Sequence, residues 1–165
     1  MKRRFMTLND SLKCLSLEIF LINFKTYTMG MVFANVELLN GGDVELNRRN
    51  FISEDEVRHL NLSIMVDSGA IMLTINEEIR QALGLSIIDH RVSQLADGRR
   101  INLPVAGYVE VRFEGRICVT NALVLPEDSE PLLGAIPMEE MDLWISPARN
   151  LLTAIHPEGP IMSLK

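Results

Sequence analysis

Apolar and polar residues alternate along much of the chain from residue 32 onward, and this two-residue period is typical of strands with one buried face. The pattern predicts single strands at residues 32–39, 60–66 and 151–155, and hairpins at 86–105 and 108–125. Asp97-Gly98 and Glu114-Gly115 are turn residues that stand at the tips of the two hairpins. Many short strands at even spacing indicate a mainly β protein, folded as a small closed β barrel.

One or two short helices are expected within this pattern. Asn76 is a favourable N-cap and Gly84 suits the residue after a helix, so a helix is predicted at residues 76–84. Pro137 suits the first turn of a second helix at residues 137–141.

The first predicted strand is followed by a segment without a clear period. Residues 40–42 are the turn residues Asn-Gly-Gly, and the charged stretch 43–58 has no regular apolar spacing. Residues 53–56 have the form of a capping box, so a short helical turn is predicted at 53–58.

Length and composition predict one domain with a sizeable core. The chain has 165 residues, and 47% of them are hydrophobic, which excludes general disorder. The net charge is −6 and no Lys/Arg cluster is interleaved with aromatic residues, so nucleic-acid binding is disfavoured. We divide the chain into an N-terminal extension (1–28), a folded domain (29–155) and a loose C-terminal tail (156–165).

The cysteines and histidines indicate the cellular compartment and do not predict a metal or cofactor site. Cys14 and Cys118 form neither a metal-binding spacing nor a disulfide framework, which favours a reducing compartment and predicts a cytoplasmic protein. His59, His90 and His156 are far apart in the sequence, so neither a metal ion nor another cofactor is predicted.

The N-terminal extension has a basic start at residues 2–4 and an apolar stretch at 15–24. Glu18 and Asn23 interrupt that stretch, no small-residue cleavage site follows, and its length is too short to span a bilayer. We interpret the extension as accessory or as a misassigned translation start, with Met29 or Met31 as the natural beginning. A short amphipathic helix at 12–24 is the alternative.

The segment 62–70 carries the clearest chemical pattern, because a single carboxylate, Asp67, follows directly on the apolar run of a predicted strand. Ser68 can hydrogen-bond across the following turn, and Gly69 lacks the Cβ that would block close backbone approach. An ordinary Asp-Ser-Gly turn without catalytic function is the open alternative.

In the order of its elements, the chain resembles the retropepsin-like aspartic proteases, especially their single-domain bacterial relatives. Residues 67–70 match the family's Asp-Thr/Ser-Gly-Ala motif, and residues 132–134 match its second motif of two apolar residues and a glycine. The likeness spans about residues 30–155 and implies a retropepsin-type barrel. By resemblance, the catalytic residue is Asp67, the catalytic loop is supported by Ser68, Ala70, Leu133, Gly69 and Gly134, and the substrate-covering flap contains Ala96, Asp97, Gly98 and Arg99.

The resemblance also implies a mechanism and a partner. Aspartic proteases need two carboxylates that share a proton, one as general base toward water and the other as acid toward the scissile carbonyl. The chain has one copy of the motif and is too short for two lobes. A homodimeric endopeptidase acting on peptide or protein substrates is therefore expected, with the two Asp67 side chains meeting on a two-fold axis.

Three departures from the family pattern keep an alternative open. Ser68 replaces the commoner threonine, Ala135 stands where many viral members carry a charged residue, and no equivalent of the viral dimer-forming C-terminal strand is evident. A catalytically silent retropepsin-fold binding or assembly module is the alternative function. Asp89 and Asp97 are disfavoured as second carboxylates of the same chain, and Trp144 is expected in the core.

Overall fold

The computed structural model describes residues 30–94, 98–126 and 128–161. The strands are β1 (Val32–Asn40), β2 (His59–Val66), β3 (Leu73–Asn76), β4 (Ser86–Gln94), β5 (Arg100–Phe113), β6 (Arg116–Leu125), β7 (Leu132–Leu133), β8 (Leu143–Ser146) and β9 (Leu151–Ala154). The helices are α1 (Gly41–Arg48), α2 (Glu77–Ala82) and α3 (Ala135–Glu140), and Glu54–Glu56 form a 3-10 turn. The prediction of a mainly β protein is confirmed.

Six of the strands pair in a ring-like sheet in the order β1-β2-β7-β3-β6-β5, which closes through pairing of β1 with β5. Most neighbours are antiparallel, but β7 runs parallel to β2, and β3 runs parallel to β6. The two-residue strand β7 therefore lies between β2 and β3, and it fixes the position of the loop that joins them.

The strand β5 is long enough to belong both to the ring and to the hairpin that it forms with β4. Its C-terminal half pairs with β1 from Val109 to Arg112, and its N-terminal half pairs with β4 up to Gly107. β1 and β4 therefore pair with the same edge of β5, one after the other along the strand. The β4–β5 hairpin thus extends beyond the ring as a continuation of it.

Side chains that alternate along the ring strands fill its interior. Leu38, Ile64, Leu73, Val111 and Leu133 are all fully buried there. Burying a side chain of this size contributes about 1.5–3 kcal/mol, so the alternation read from the sequence is the main stabilising feature of the fold.

The strands predicted at 32–39, 60–66 and 151–155 are confirmed within one residue, and so is the helix that Asn76 begins. The two predicted hairpins form but are not separate, because residues 105–108 lie within the single strand β5. The sequence pattern does not predict β3, β7 and β8. The side chain of Asn76 accepts a hydrogen bond from Ile79 N at 2.9 Å and caps α2. The 3-10 turn has the predicted capping box, in which the Glu56 carboxylate accepts from Ser53 N at 2.9 Å.

The prediction of one or two helices is wrong, since three short helices form. The additional helix, α1, begins at Gly41, where the sequence predicts a turn. The Asn40 side chain caps it by accepting from Gly42 N and Asp43 N at 2.9 and 3.2 Å. The same side chain donates to Leu83 O at 2.9 Å, so a long-range contact selects the helix over the turn.

The prediction that Trp144 lies in the core is also wrong. It stands on the outward face of β8 and is 49% exposed, whereas its neighbours Leu143 and Ile145 face the core. β8 and β9 form a separate two-stranded sheet, so the C-terminal part of the domain contains a hairpin.

Several predictions lie outside the described residues: those for the extension 1–28, for Ala96 and Asp97 in the flap, and for tail residues 162–165. In the described part of the tail, His156 Nδ1 lies 2.9 Å from Asp142 Oδ2. Within the described residues, no helix is both long and apolar enough to cross a bilayer.

Candidate functional site

Asp67 follows directly on the buried end of β2 and is held there by the neighbouring strand β7. The parallel pairing aligns Met65 with Leu132 and Val66 with Leu133. Asp67 N continues this ladder by donating to Leu133 O at 3.1 Å. The half-buried carboxylate is therefore presented at the rim of the ring, on a backbone that is anchored at its base.

The turn after Asp67 is closed by the aspartate itself. Gly69 N donates to Asp67 Oδ1 at 2.8 Å, and Ala70 N donates to Asp67 O at 3.1 Å. A Cβ on Gly69 would lie 3.1 Å from Asp67 Oδ1, which is a tight contact. Ser68 and Gly69 are exposed, so this turn presents Asp67 Oδ1 in a fixed orientation at the surface.

Gly134 forms the floor beneath the turn, and close backbone approach explains why it is glycine. A Cβ at this position would lie 2.3 Å from Met72 O and 2.7 Å from Ala70 O. The approach allows Ala135 N to donate to Ala70 O at 2.7 Å, and Ile136 N to donate to Ile71 O at 3.0 Å. The loop 67–72 and the segment 132–136 are thereby joined over their whole length.

Thr74 and Pro131 complete the anchoring of β7. Leu132 N donates to the Thr74 hydroxyl at 3.1 Å, and Met65 N donates to Pro131 O at 3.3 Å. Leu133 itself is fully buried. The structure thus brings together the predicted residues Asp67, Ser68, Gly69, Ala70, Leu133 and Gly134.

A groove of about 440 Å³ runs beside the Asp67 turn, between it and β4. Its apolar lining comprises Ala70, Ile71, Met72, Val92, Leu123 and Ile136. Most of β4 is exposed, and in the described residues its pairing partner is β5 alone, so its outer edge faces away from the sheet. A groove of this shape next to a free strand edge can accept an extended peptide.

Sequence reasoning found the turn and its floor but missed most of this groove. Ile71 and Met72 lie in the loop after Asp67 and Val92 lies on β4, so their convergence depends on the tertiary structure. Of the predicted flap residues, Gly98 and Arg99 are described, and neither lines the groove. The alternative carboxylate Asp89 lies on β4, more than half exposed, where its Oδ1 accepts a hydrogen bond from His90 N at 2.8 Å.

Two residues outside this site, Asp43 and Cys118, have shifted pKa values. The side-chain hydrogen bond from Arg58 lowers the pKa of Asp43, and burial raises the pKa of the Cys118 thiol to about 12. Among the described residues, no group of three or more His, Cys, Asp or Glu side chains could hold a metal ion. Within the loop 67–72 and the segment 132–136, Asp67 is the one residue with a carboxylate side chain.

No family model and no curated protein matches the chain. The interpretation of the site therefore depends on its geometry and on the resemblance of its two motifs.

Proposed function

We propose that the chain is an aspartic endopeptidase of the retropepsin type, active as a homodimer. The observation that carries the proposal is the position of Asp67, presented at the end of β2 and held from below by Leu133 and Gly134. Gly134 allows the segment 134–136 to approach the loop after Asp67 so closely that a Cβ would meet Met72 O and Ala70 O. The adjacent apolar groove supports a substrate with side chains rather than a small ion.

The chemistry requires a second carboxylate, which the partner supplies. Two carboxylates about 3 Å apart cannot both be ionised, so they share one proton and act together as base and acid. The ionised member accepts a proton from water as the water oxygen attacks the scissile carbonyl carbon, and the protonated member donates to the carbonyl oxygen, which gives a tetrahedral diol. The C–N bond then breaks as the first carboxyl gives its new proton to the amine nitrogen and the second carboxylate takes a proton from a hydroxyl of the diol. The products are a carboxylic acid and an amine, and the pair again holds one proton. Each subunit contributes one Asp67 and one groove.

The surface beside Asp67 supports such a dimer. A second hollow of about 400 Å³ adjoins the turn and is lined by Ser68, Ala135, Met138 and Trp144, among others. Trp144 is half exposed there, and among the described residues β8 and β9 pair only with each other. Pairing of open edges with a second copy is favourable because it satisfies free backbone groups.

A catalytically silent binding module is the second candidate, and one observation favours it. The hydrogen bond from Gly69 N to Asp67 Oδ1 is the bond that an aspartate makes when it only stabilises a turn. In that case, a variant with asparagine in place of Asp67 would retain every property of the protein.

Asp67→Asn is the decisive variant because the amide oxygen preserves the bond to Gly69 N and only the acid–base function is lost. We expect the wild-type dimer to cleave unfolded casein in a pepstatin-sensitive manner, and the variant to lose at least about a hundredfold in rate. Asp55→Asn removes an exposed carboxylate that lies outside both motifs and lines neither the groove nor the second hollow, so it is the matched control. Cleavage that survives Asp67→Asn, or a wild-type protein that stays monomeric and inert, would refute the proposal.

A further inference from the structure

The wall of the groove carries one charge. Among the described residues that line it, Arg91 on β4 is the single charged side chain, and the others are apolar or neutral. This cation lies in a protein whose net charge is −6, so it opposes the prevailing sign of the molecule at the place where a peptide would lie.

The present partner of Arg91 holds it weakly. Arg91 Nε lies 3.7 Å from Asp89 Oδ2, which is beyond hydrogen-bond distance, and both side chains are more than half exposed, at 57% and 59%. An exposed ion pair of this kind contributes about 0–1 kcal/mol. The guanidinium can therefore turn toward another carboxylate at little cost, and its planar array of N–H donors matches a carboxylate in bidentate geometry.

The neighbours of Arg91 show which kind of ligand would meet it. Val92, the next residue on β4, lines the same groove together with Ile71 and Met72 from the catalytic loop. An extended chain advances about 3.3 Å per residue, so a peptide with one side chain in the apolar part passes Arg91 within a few residues.

We propose that Arg91 is a specificity-determining residue, which makes the groove select peptides with Asp or Glu within a few residues of the aliphatic side chain that fills it. This inference rests on the proposed endopeptidase function and specifies its substrate class. Apolar contact provides the anchor, and the carboxylate of the substrate pairs with Arg91.

The test is a digest of a peptide library of known sequences by the full-length protein at about 50 mM salt, with cleavage sites identified by mass spectrometry. We expect Asp and Glu within three residues of the cut to be enriched by about threefold to fivefold, which corresponds to a solvent-exposed ion pair. Arg91→Gln should abolish the enrichment, and Arg91→Glu should replace it by a preference for Lys and Arg. Salt at about 0.5 M should weaken the wild-type preference through screening.

Arg49→Gln is the matched control, because it removes an exposed arginine at the end of α1, outside the groove lining. This variant should keep the wild-type preference. Cleavage without acidic enrichment, or enrichment that persists in Arg91→Glu, would overturn the assignment of Arg91 while leaving the endopeptidase intact. A wild-type protein that cleaves no peptide refutes the proposed function, and this inference with it.

Discussion

Gly134→Ala tests the floor of the site, because the added methyl group has no space. Its carbon would lie 2.3 Å from Met72 O and 2.7 Å from Ala70 O, and both of these neighbours are backbone atoms. Gly134 has φ −86° and ψ −177°, which alanine adopts readily, so the cost comes from the contact alone. The segments must separate, and the bonds from Ala135 N and Ile136 N to the loop lengthen or break.

The expected destabilisation follows from these contacts. Overpacking costs about 1–3 kcal/mol, and each of the two backbone hydrogen bonds is worth about 1 kcal/mol, so the sum is about 3–5 kcal/mol. With a urea m-value of about 2 kcal/mol/M, the unfolding midpoint should fall by about 1.5–2.5 M. Urea unfolding followed by circular dichroism, at one fixed protein concentration, measures this shift.

Gly42→Ala is the control for Gly134→Ala. Its Cβ meets only the Asn40 side-chain oxygen at 3.1 Å, and the residue is helical, so alanine should change stability by at most about 1 kcal/mol. A Gly134→Ala midpoint within about 0.3 M of the wild-type value would refute the account of the floor, since such a shift is below 1 kcal/mol.

Three further predictions concern the scaffold. Asn40→Ala removes the cap of α1 and leaves Leu83 O without its partner, so urea unfolding should show a loss of about 2–4 kcal/mol, with Asn40→Ser intermediate because it keeps a capping oxygen. Asp43 has a lowered pKa in the folded state, so its stabilising effect is present above the unfolded pKa and disappears as the pH falls through the folded pKa. Asp43→Asn should therefore destabilise the protein by about 1–2 kcal/mol at pH 7 and by less at pH 3. An equal loss of stability at both pH values would contradict this account. In a Cys14→Ser background, buried Cys118 should not react with Ellman's reagent at pH 8 until denaturant is added, and rapid native labelling would disprove its burial.

Local patterns were sufficient for β1, β2 and β9, for α2 and for the Asp67 turn, but not for β3, β7 and β8 or for the continuity of β5. The alternation of β1 and β2 and the N-cap Asn76 are properties of contiguous residues, and the structure retains them. Glu114 and Gly115 have φ of 46° and 80°, as a tight hairpin turn requires, and this too was evident from residue types.

Features that depend on distant residues could not be predicted in the same way. The helix α1 begins with two glycines, which disfavour helix formation, and is selected by the bond from Asn40 to Leu83. The exposure of Trp144 depends on which face of β8 meets the core, and the strand is too short for its alternation to decide this. Arg91 becomes part of the groove wall only because β4 folds back over the loop at residues 69–72.

The continuity of β5 makes the groove and the interior mechanically interdependent. One strand of 14 residues pairs with β1 and β6 in its C-terminal half and with β4 in its N-terminal half, and its pairing with β6 shifts register between Ala106 and Val109. We expect a change in side-chain volume at the fully buried Val109 or Val111 to displace β5 and, with it, the strand β4 that lines the groove. If the β4–β5 hairpin is exchanged for another hairpin, the residue spacing in the half of β5 that pairs with β1 and β6 must be kept. Otherwise the new hairpin will not lie beside the Asp67 turn.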